Sequence, residues 1–172
     1  RYDFVSIGNF LHPPNSDVVR YLKKDIWPRI RKSLPETKLH IYGAYDTPVF
    51  KEMHNEKEGF LIHGFVEDAF EVLNSAKVLL APLRFGAGLK GKLIQAMQTG
   101  TPCAMSSVAA EGMFGAMDPN GIVEDTVDVF AARAVALYSK LPEWEAFQVQ
   151  GFSVLKNRFE KELYQTNFIN QV

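Results

Sequence analysis

With 172 residues, the chain is the usual size of one domain and long enough to bury a core without disulfide or metal staples. A formal net charge of −1 gives no basic field to draw nucleic acid or anionic lipid, and no apolar run reaches membrane-spanning length or reads as a signal peptide. The single cysteine rules out an internal disulfide, and His12, His40, His54 and His63 have no paired ligand spacing, so a zinc site is not expected.

The first strand is read at Phe4 to Gly8, "FVSIG". The loop "NFLHPPNS" leads into a helix on which Val18, Leu22, Ile26, Ile30 and Leu34 recur every four residues as one apolar stripe. Asn15 or Ser16 is the expected cap, and Pro28, lacking a backbone donor, is expected to kink the helix. Strands follow at Leu39 to Gly43 and Phe60 to Gly64, with a short helix between them near Pro48 to Met53. Asp68 caps the helix Asp68 to Ala76. Lys77 to Leu83 is apolar without alternation, as in a strand covered on both faces. A glycine-rich loop and a helix through "KLIQAMQ" end at Gly100. Pro102 to Ser106 and Gly121 to Glu124 are the fifth and sixth strands. Within the fifth, Cys103 reads as a buried packing residue rather than a nucleophile, and a lone cysteine fits a reducing compartment. Phe130, Ala134, Leu137 and Leu141 form one face of a helix, and a last helical stretch carries Phe152, Leu155, Phe159 and Leu163.

Strands alternating with helices predict an α/β fold, a Rossmann-like three-layer α/β/α domain with a mostly parallel six-stranded sheet. In such sheets ligands sit beyond the C-terminal strand ends. The loops after Gly8, Gly64 and Leu83 lie there. The last contains "GAGLKGKL", Gly86 to Leu93, which fits two nucleotide patterns at once. The dinucleotide fingerprint needs a strand running directly into its first glycine in the first βαβ unit, whereas Pro82 to Phe85 intervene here. A P-loop needs Ser or Thr after its Lys to hold magnesium, and position 93 is Leu. What both patterns share survives: first-turn amides, a helix dipole, and the charges of Lys90, Lys92 and nearby Arg84 make an anion site suited to a diphosphate. The alternative is a helix start with solvated lysines and glycines used for packing.

The segment "KVLLAPLRFGAGLKGKLIQAMQTGTPCAMSSVAAEGM" resembles the donor-binding half of GT-B retaining glycosyltransferases, the glycosyl transferases group 1 type. "GNFLHPPNSDVVRYLKKDIWPRIRKSLPETKLHIYG" and "IHGFVEDAFEVLNSAKVLLAPL" are similar to that family's opening and middle, so the resemblance spans nearly the whole chain. It implies that residues 1–172 form one nucleotide-sugar-binding domain, with the N-terminal acceptor domain in the same or another chain and not in this sequence. It further implies that Gly88, Leu89, Lys90, Gly91 and Lys92, with Arg84 beside them, hold the diphosphate. Phe65 and Val66 would lie against the base, Gln95 against the ribose, Glu111 near the donor sugar, and Gly8 and Asn9 in the first loop. Ordinary packing or solvation is the alternative for Phe65, Val66 and Glu111. No metal and no cofactor are implied beyond the donor itself. The acceptor would be a glycan or lipid-linked, with nucleic acid excluded. The expected location is cytoplasmic, or peripheral at the inner face of a membrane.

Two departures stand out. Many relatives carry two glutamates, at positions matching Ala87 and Gln95. Their first loop is often basic, whereas this one offers Asn9, His12 and Asn15. Gln95 and the non-basic first loop favour a rival, a binding module without catalysis; an epimerase-like domain is a second rival but lacks a visible acid and base pair. The chain opens on Arg1 rather than Met, and the acceptor half, roughly 150 residues by usual domain size, is expected upstream with the catalytic residues. The flank that would dock it is expected to be partly apolar, with Trp144, Phe147 and the last helix as candidates and core packing as their alternative.

Overall fold

A computed structural model of the chain describes residues 1–45 and 47–160. Its six strands are β1 (Tyr2–Ile7), β2 (Leu39–Tyr42), β3 (Phe60–Gly64), β4 (Ala76–Ala81), β5 (Cys103–Met105) and β6 (Gly121–Val123). They form one sheet in the order β3-β2-β1-β4-β5-β6, and every neighbouring pair is parallel. The expectation of a mostly parallel sheet therefore holds for all six strands. Val78, Leu79 and Leu80 are fully buried in succession, which is why β4 shows no polar alternation.

The first half of the chain carries α1 (Pro13–Tyr21), α2 (Trp27–Ser33), α3 (Pro48–Lys51) and α4 (Ala69–Ser75). The second carries α5 (Gly91–Thr99), α6 (Ser107–Ala110), α7 (Val127–Ser139) and α8 (Leu141–Val154). On one face of the sheet, Phe4 meets Trp27 of α2 edge-on at 5.9 Å and stacks on Tyr138 of α7 at 4.7 Å. Its neighbours Asp3 and Val5 point to the opposite face, beside Val72 and Ser75 of α4. On that side α5 packs against α4 and α8. Helices on both faces of the sheet complete the three layers.

The first helix corrects one expectation and gives a form to another. It begins at Pro13 with His12 as an N-cap that makes no side-chain cap bond, so neither Asn15 nor Ser16 is the cap. Proline suits the first turn because its missing N–H would be unpaired there anyway. Asn15 and Ser16 instead bond back to the carbonyls of Asn9 and Phe10. The disruption at Pro28 takes the form of a π-helical stretch, Leu22–Ile26, from which Trp27 N–H reaches Leu22 and α2 restarts with Pro28 in its first turn. The stripe survives because Val18, Leu22, Ile26 and Ile30 all remain buried; Leu34 is half-buried beyond the helix end.

The helix after β3 is capped as read: Asp68 accepts from the amides of Phe70 and Glu71. Gly100 ends α5 in the left-handed region, φ 65°. Cys103 is fully buried, and burial pushes its thiol up to about 12, which suits packing rather than nucleophilic attack. Phe130, Ala134 and Leu137 are buried on α7, but Leu141 is exposed: α7 stops at Ser139, and Leu141 opens α8 ahead of Pro142. Trp144 is buried with its indole N–H on the Lys77 carbonyl, and Phe147 is half-buried against the core, so both pack the domain. Of the last apolar stretch, Phe152 is exposed, Leu155 half-buried and Phe159 buried, while Leu163 lies outside the described residues.

From β1 the sheet is built outward through β2 to β3, and from β4 outward through β5 to β6. The order reverses between β1 and β4, and the loops leaving those two strands flank a crevice at that switch point.

Candidate functional site

The first wall of the crevice is the loop after β1. Gly8 N–H bonds to the Tyr42 carbonyl and Phe10 N–H to that of Ala44, which ties the loop to the end of β2. Phe10 anchors it, buried 4.9 Å from the Phe50 ring. Asn9 holds the turn, accepting Leu11 N–H at 2.9 Å on its side chain and Asn15 Nδ2–H at 2.9 Å on its carbonyl. A methyl group at Gly8 would sit 2.7 Å from Asn15 Cγ, so glycine is what lets the Asn15 amide lie against the strand end.

The second wall is the glycine loop. Gly86 and Gly88 have φ of 120° and 79°, conformations that a side chain resists. Lys90 is the N-cap of α5 and makes no side-chain cap bond, so first-turn amides are left facing outward. Among the described residues, nothing lies within 4 Å of where a Cβ would stand on Gly88 or Gly91, so this face of the loop is open to them. Leu93 is fully buried, so the position at which a P-loop bears its metal-binding hydroxyl faces the core.

The two lysines differ. Lys90 is buried and its ammonium folds back on the Gly88 carbonyl. Lys92 is half-buried and donates to Asn15 Oδ1 at 2.7 Å. Burial, and then the charge of Lys90, lower Lys92 to about 8. Gly8, Asn9, Asn15, Gly91, Lys92 and Gln95 line a depression of about 440 Å³. A second depression of about 400 Å³, with His12, Leu89 and Lys90 in its wall, shares Asn15, Gly91 and Lys92 with the first. Among the described residues, neither is lined by an acidic one. The Gln95 side chain, half-buried, makes no hydrogen bond among the described residues.

The other expected site residues are placed as follows. Arg84 Nε donates to Asp17 Oδ2 at 2.8 Å, its Nη2 donates to Asp17 Oδ1, and its guanidinium lies over the Tyr21 ring. It lines a separate depression of about 290 Å³ with Ser106 and Glu124, on the β5–β6 side of the loop. Phe65 is exposed and Val66 half-buried just past β3, which is linked to β2 through Gly43 N–H on the Gly64 carbonyl. Glu111 is exposed at the end of α6. Its neighbours support the glycine loop: Met113 Sδ accepts Lys90 N–H at 3.3 Å, and a Cβ on Gly112 would lie 3.9 Å from Leu89. Sequence reading missed the Lys92–Asn15 and Arg84–Asp17 contacts. The "PN" pair was visible, but no local pattern joins residues 77 positions apart.

The chain is similar in fold to several solved structures. A mutant of S. aureus TarM in complex with fondaparinux, alpha-GlcNAc-glycerol and UDP superposes with a TM-score of 0.77 at 14% identity over 98% of this chain and 35% of that one. WaaG, a glycosyltransferase involved in lipopolysaccharide biosynthesis, gives 0.70 at 17% identity over 91% of this chain and 43% of that one. The C-terminal domain of a group 1 family glycosyl transferase, LpcC of Francisella tularensis, gives 0.71 at 13% identity over 91% of this chain and 86% of that domain. The chain thus spans about a third of TarM and nearly the whole of the isolated LpcC domain. No curated protein is similar enough in sequence to match. The model of the family described as glycosyl transferases group 1 matches residues 1–140, and the chain belongs to that family.

Proposed function

We propose that the crevice between β1 and β4 binds the diphosphate of a nucleotide sugar, and that this chain is the donor-binding half of a retaining glycosyltransferase. The observation that carries this reading is Lys92: a partly buried cation with no carboxylate partner among the described residues, in the wall shared by two depressions at the switch point. A charge taken from water and left unmatched is costly unless a ligand supplies its counter-charge. Membership of the family and the UDP in the TarM complex support a nucleoside diphosphate as that ligand.

In this reading the open amides of the glycine loop and of the first turn of α5 face the diphosphate with the Lys92 ammonium beside them, and Lys90, folded on the Gly88 carbonyl with its amide on Met113, adds charge from behind the loop. Arg84, held by Asp17, adds charge at longer range. Gln95 lies toward the ribose, Phe65 and Val66 toward the base, and Glu111 toward the sugar. The sugar passes to a hydroxyl of a glycan or lipid-linked acceptor on an N-terminal domain in this or another chain. The leaving diphosphate gains charge as the glycosidic bond breaks, and donors already aimed at it stabilise that charge without reorganising. No metal ion is required for this. The buried, unreactive Cys103 fits a cytoplasmic setting, and among the described residues no helix is long and apolar enough to cross a membrane. The neutral Gln95 and the non-basic first loop favour a second reading, a nucleotide-sugar-binding module without catalysis.

A thermal-shift screen tests the binding claim. UDP, GDP, ADP or their sugars are expected to raise the melting temperature, because a ligand that binds only the folded state stabilises it. A rise with NAD or ATP and with no nucleoside diphosphate would reverse the reading.

A further inference from the structure

We propose that Asn15 is the positioning residue for Lys92, holding its ammonium at the crevice with a neutral oxygen so that the charge stays available to an incoming diphosphate. The inference rests on the donor-site reading and adds to it a role for the element that follows β1.

Lys92 is in the first turn of α5 and Asn15 in the first turn of α1, so their contact joins the two sides of the switch point. The amide has one orientation that satisfies its surroundings. Its Nδ2 donates to the Asn9 carbonyl at 2.9 Å, which leaves Oδ1 to accept from Lys92 at 2.7 Å. Gly8 makes room for it, since a methyl group there would overlap the Asn15 carboxamide. The cradle is therefore built from Gly8, Asn9 and Asn15 together.

The choice of amide over carboxylate decides what the lysine can do. Aspartate at position 15 would accept the same bond but cancel the charge, and would repel a phosphate. An amide orients the ammonium and leaves it cationic. The other titratable or charged groups around Lys92 are Lys90 in its own loop and His12 in the shared wall; Asp17, the carboxylate on α1, is taken by Arg84. Among the described residues, no anion in the free chain competes for Lys92.

This arrangement has a pH signature. In the free chain Lys92 loses its proton near pH 8. A bound diphosphate raises that value toward the ordinary lysine range. Below pH 8 Lys92 is charged in both states, and affinity is flat with respect to this group. Above pH 8 the free site has lost the proton that the bound site needs, so binding takes one up and the Kd rises by up to about tenfold per pH unit.

The test is calorimetric titration of the 172-residue chain with UDP, GDP and ADP between about pH 6.5 and 9.5, for wild type, Asn15→Asp and Asn15→Ala. The wild type is expected to show the flat and then falling affinity. Asn15→Asp is expected to weaken binding at pH 7 by roughly tenfold or more. Its affinity should no longer fall just above pH 8, because the new carboxylate keeps Lys92 charged in the free chain. Asn15→Ala should weaken binding by roughly fivefold, the scale of one modest hydrogen bond, while keeping the pH-dependent fall. If one variant fails to fold, as judged by its melting curve, the other still gives the comparison. Wild-type affinity and an unchanged pH profile in the folded variants would overturn the positioning role and leave the donor site standing. A wild type that binds none of the three diphosphates would overturn the donor site and this inference with it.

Discussion

Arg84 and Lys92 flank the same glycine loop at the same edge of the sheet, and they are held in opposite ways. Arg84 is half-exposed and its fork meets both oxygens of Asp17. Lys92 is more deeply placed and, among the described residues, meets only an amide oxygen. The exposed cation is matched by a carboxylate, and the less exposed one is left unmatched. Stability alone would favour the reverse, because an exposed charge needs no partner and a buried one does. The comparison marks Arg84 as part of the scaffold that holds the loop against α1, and Lys92 as the group kept ready for an external anion.

The largest effect should come from Lys92→Met. Losing a charge-assisted bond to phosphate costs about 1.5–3 kcal/mol, or roughly 10- to 150-fold in UDP affinity. The same change should make the free chain more stable at neutral pH, by on the order of 1 kcal/mol after allowance for partial exposure. The sign follows from the lowered pKa. Between pH 8 and the ordinary lysine value of 10.5 the unfolded chain holds a proton that the folded chain has released. Wild-type stability therefore rises with pH across that window, and the Lys92→Met chain should lack this rise. Denaturant melts at several pH values would show it; equal slopes in the two proteins would mean that Lys92 is not held as described.

A smaller effect is expected at Gln95, on the wall shared with Lys92. Glutamate would accept with charge assistance from two ribose hydroxyls, where glutamine offers one acceptor oxygen. Gln95→Glu should tighten nucleoside-diphosphate binding by about 1 kcal/mol, close to fivefold. Equal or weaker binding by calorimetry would remove Gln95 from the ribose. The smallest effect belongs to the Arg84–Asp17 pair. Arg84→Gln should change stability by less than about 1 kcal/mol, the range of exposed ion pairs, and UDP affinity by only a few-fold. A loss as large as that of Lys92→Met would erase the contrast between the two cations.

The sequence made some parts of this picture legible and not others, for physical reasons. Unalternating "KVLLA" marked a strand covered on both faces, and the alternation of strands with helices implied a parallel sheet. Local chemistry was equally readable at Asp68, whose carboxylate caps its own helix, and at Gly100, whose left-handed φ ends one. The start of α1 was misread because Asn15 and Ser16 are good caps in isolation, whereas the fold uses their side chains to close the loop before the helix. Leu141 was misread because the period continues past the break that Pro142 imposes. In the candidate site, the glycine loop and its lysines were visible in one short segment. The difference between the lysine and the arginine was not. It depends on Asn15 and Asp17, which neighbour the loop only after β1 and β4 have paired.

The most direct measurement of the central claim is a crystal structure of the chain with UDP bound. The diphosphate is predicted over the first turn of α5, within hydrogen-bond reach of the amides at Gly91 and Lys92 and of the Lys92 ammonium. UDP bound elsewhere, with the space beside Lys92 holding no phosphate, would contradict the account.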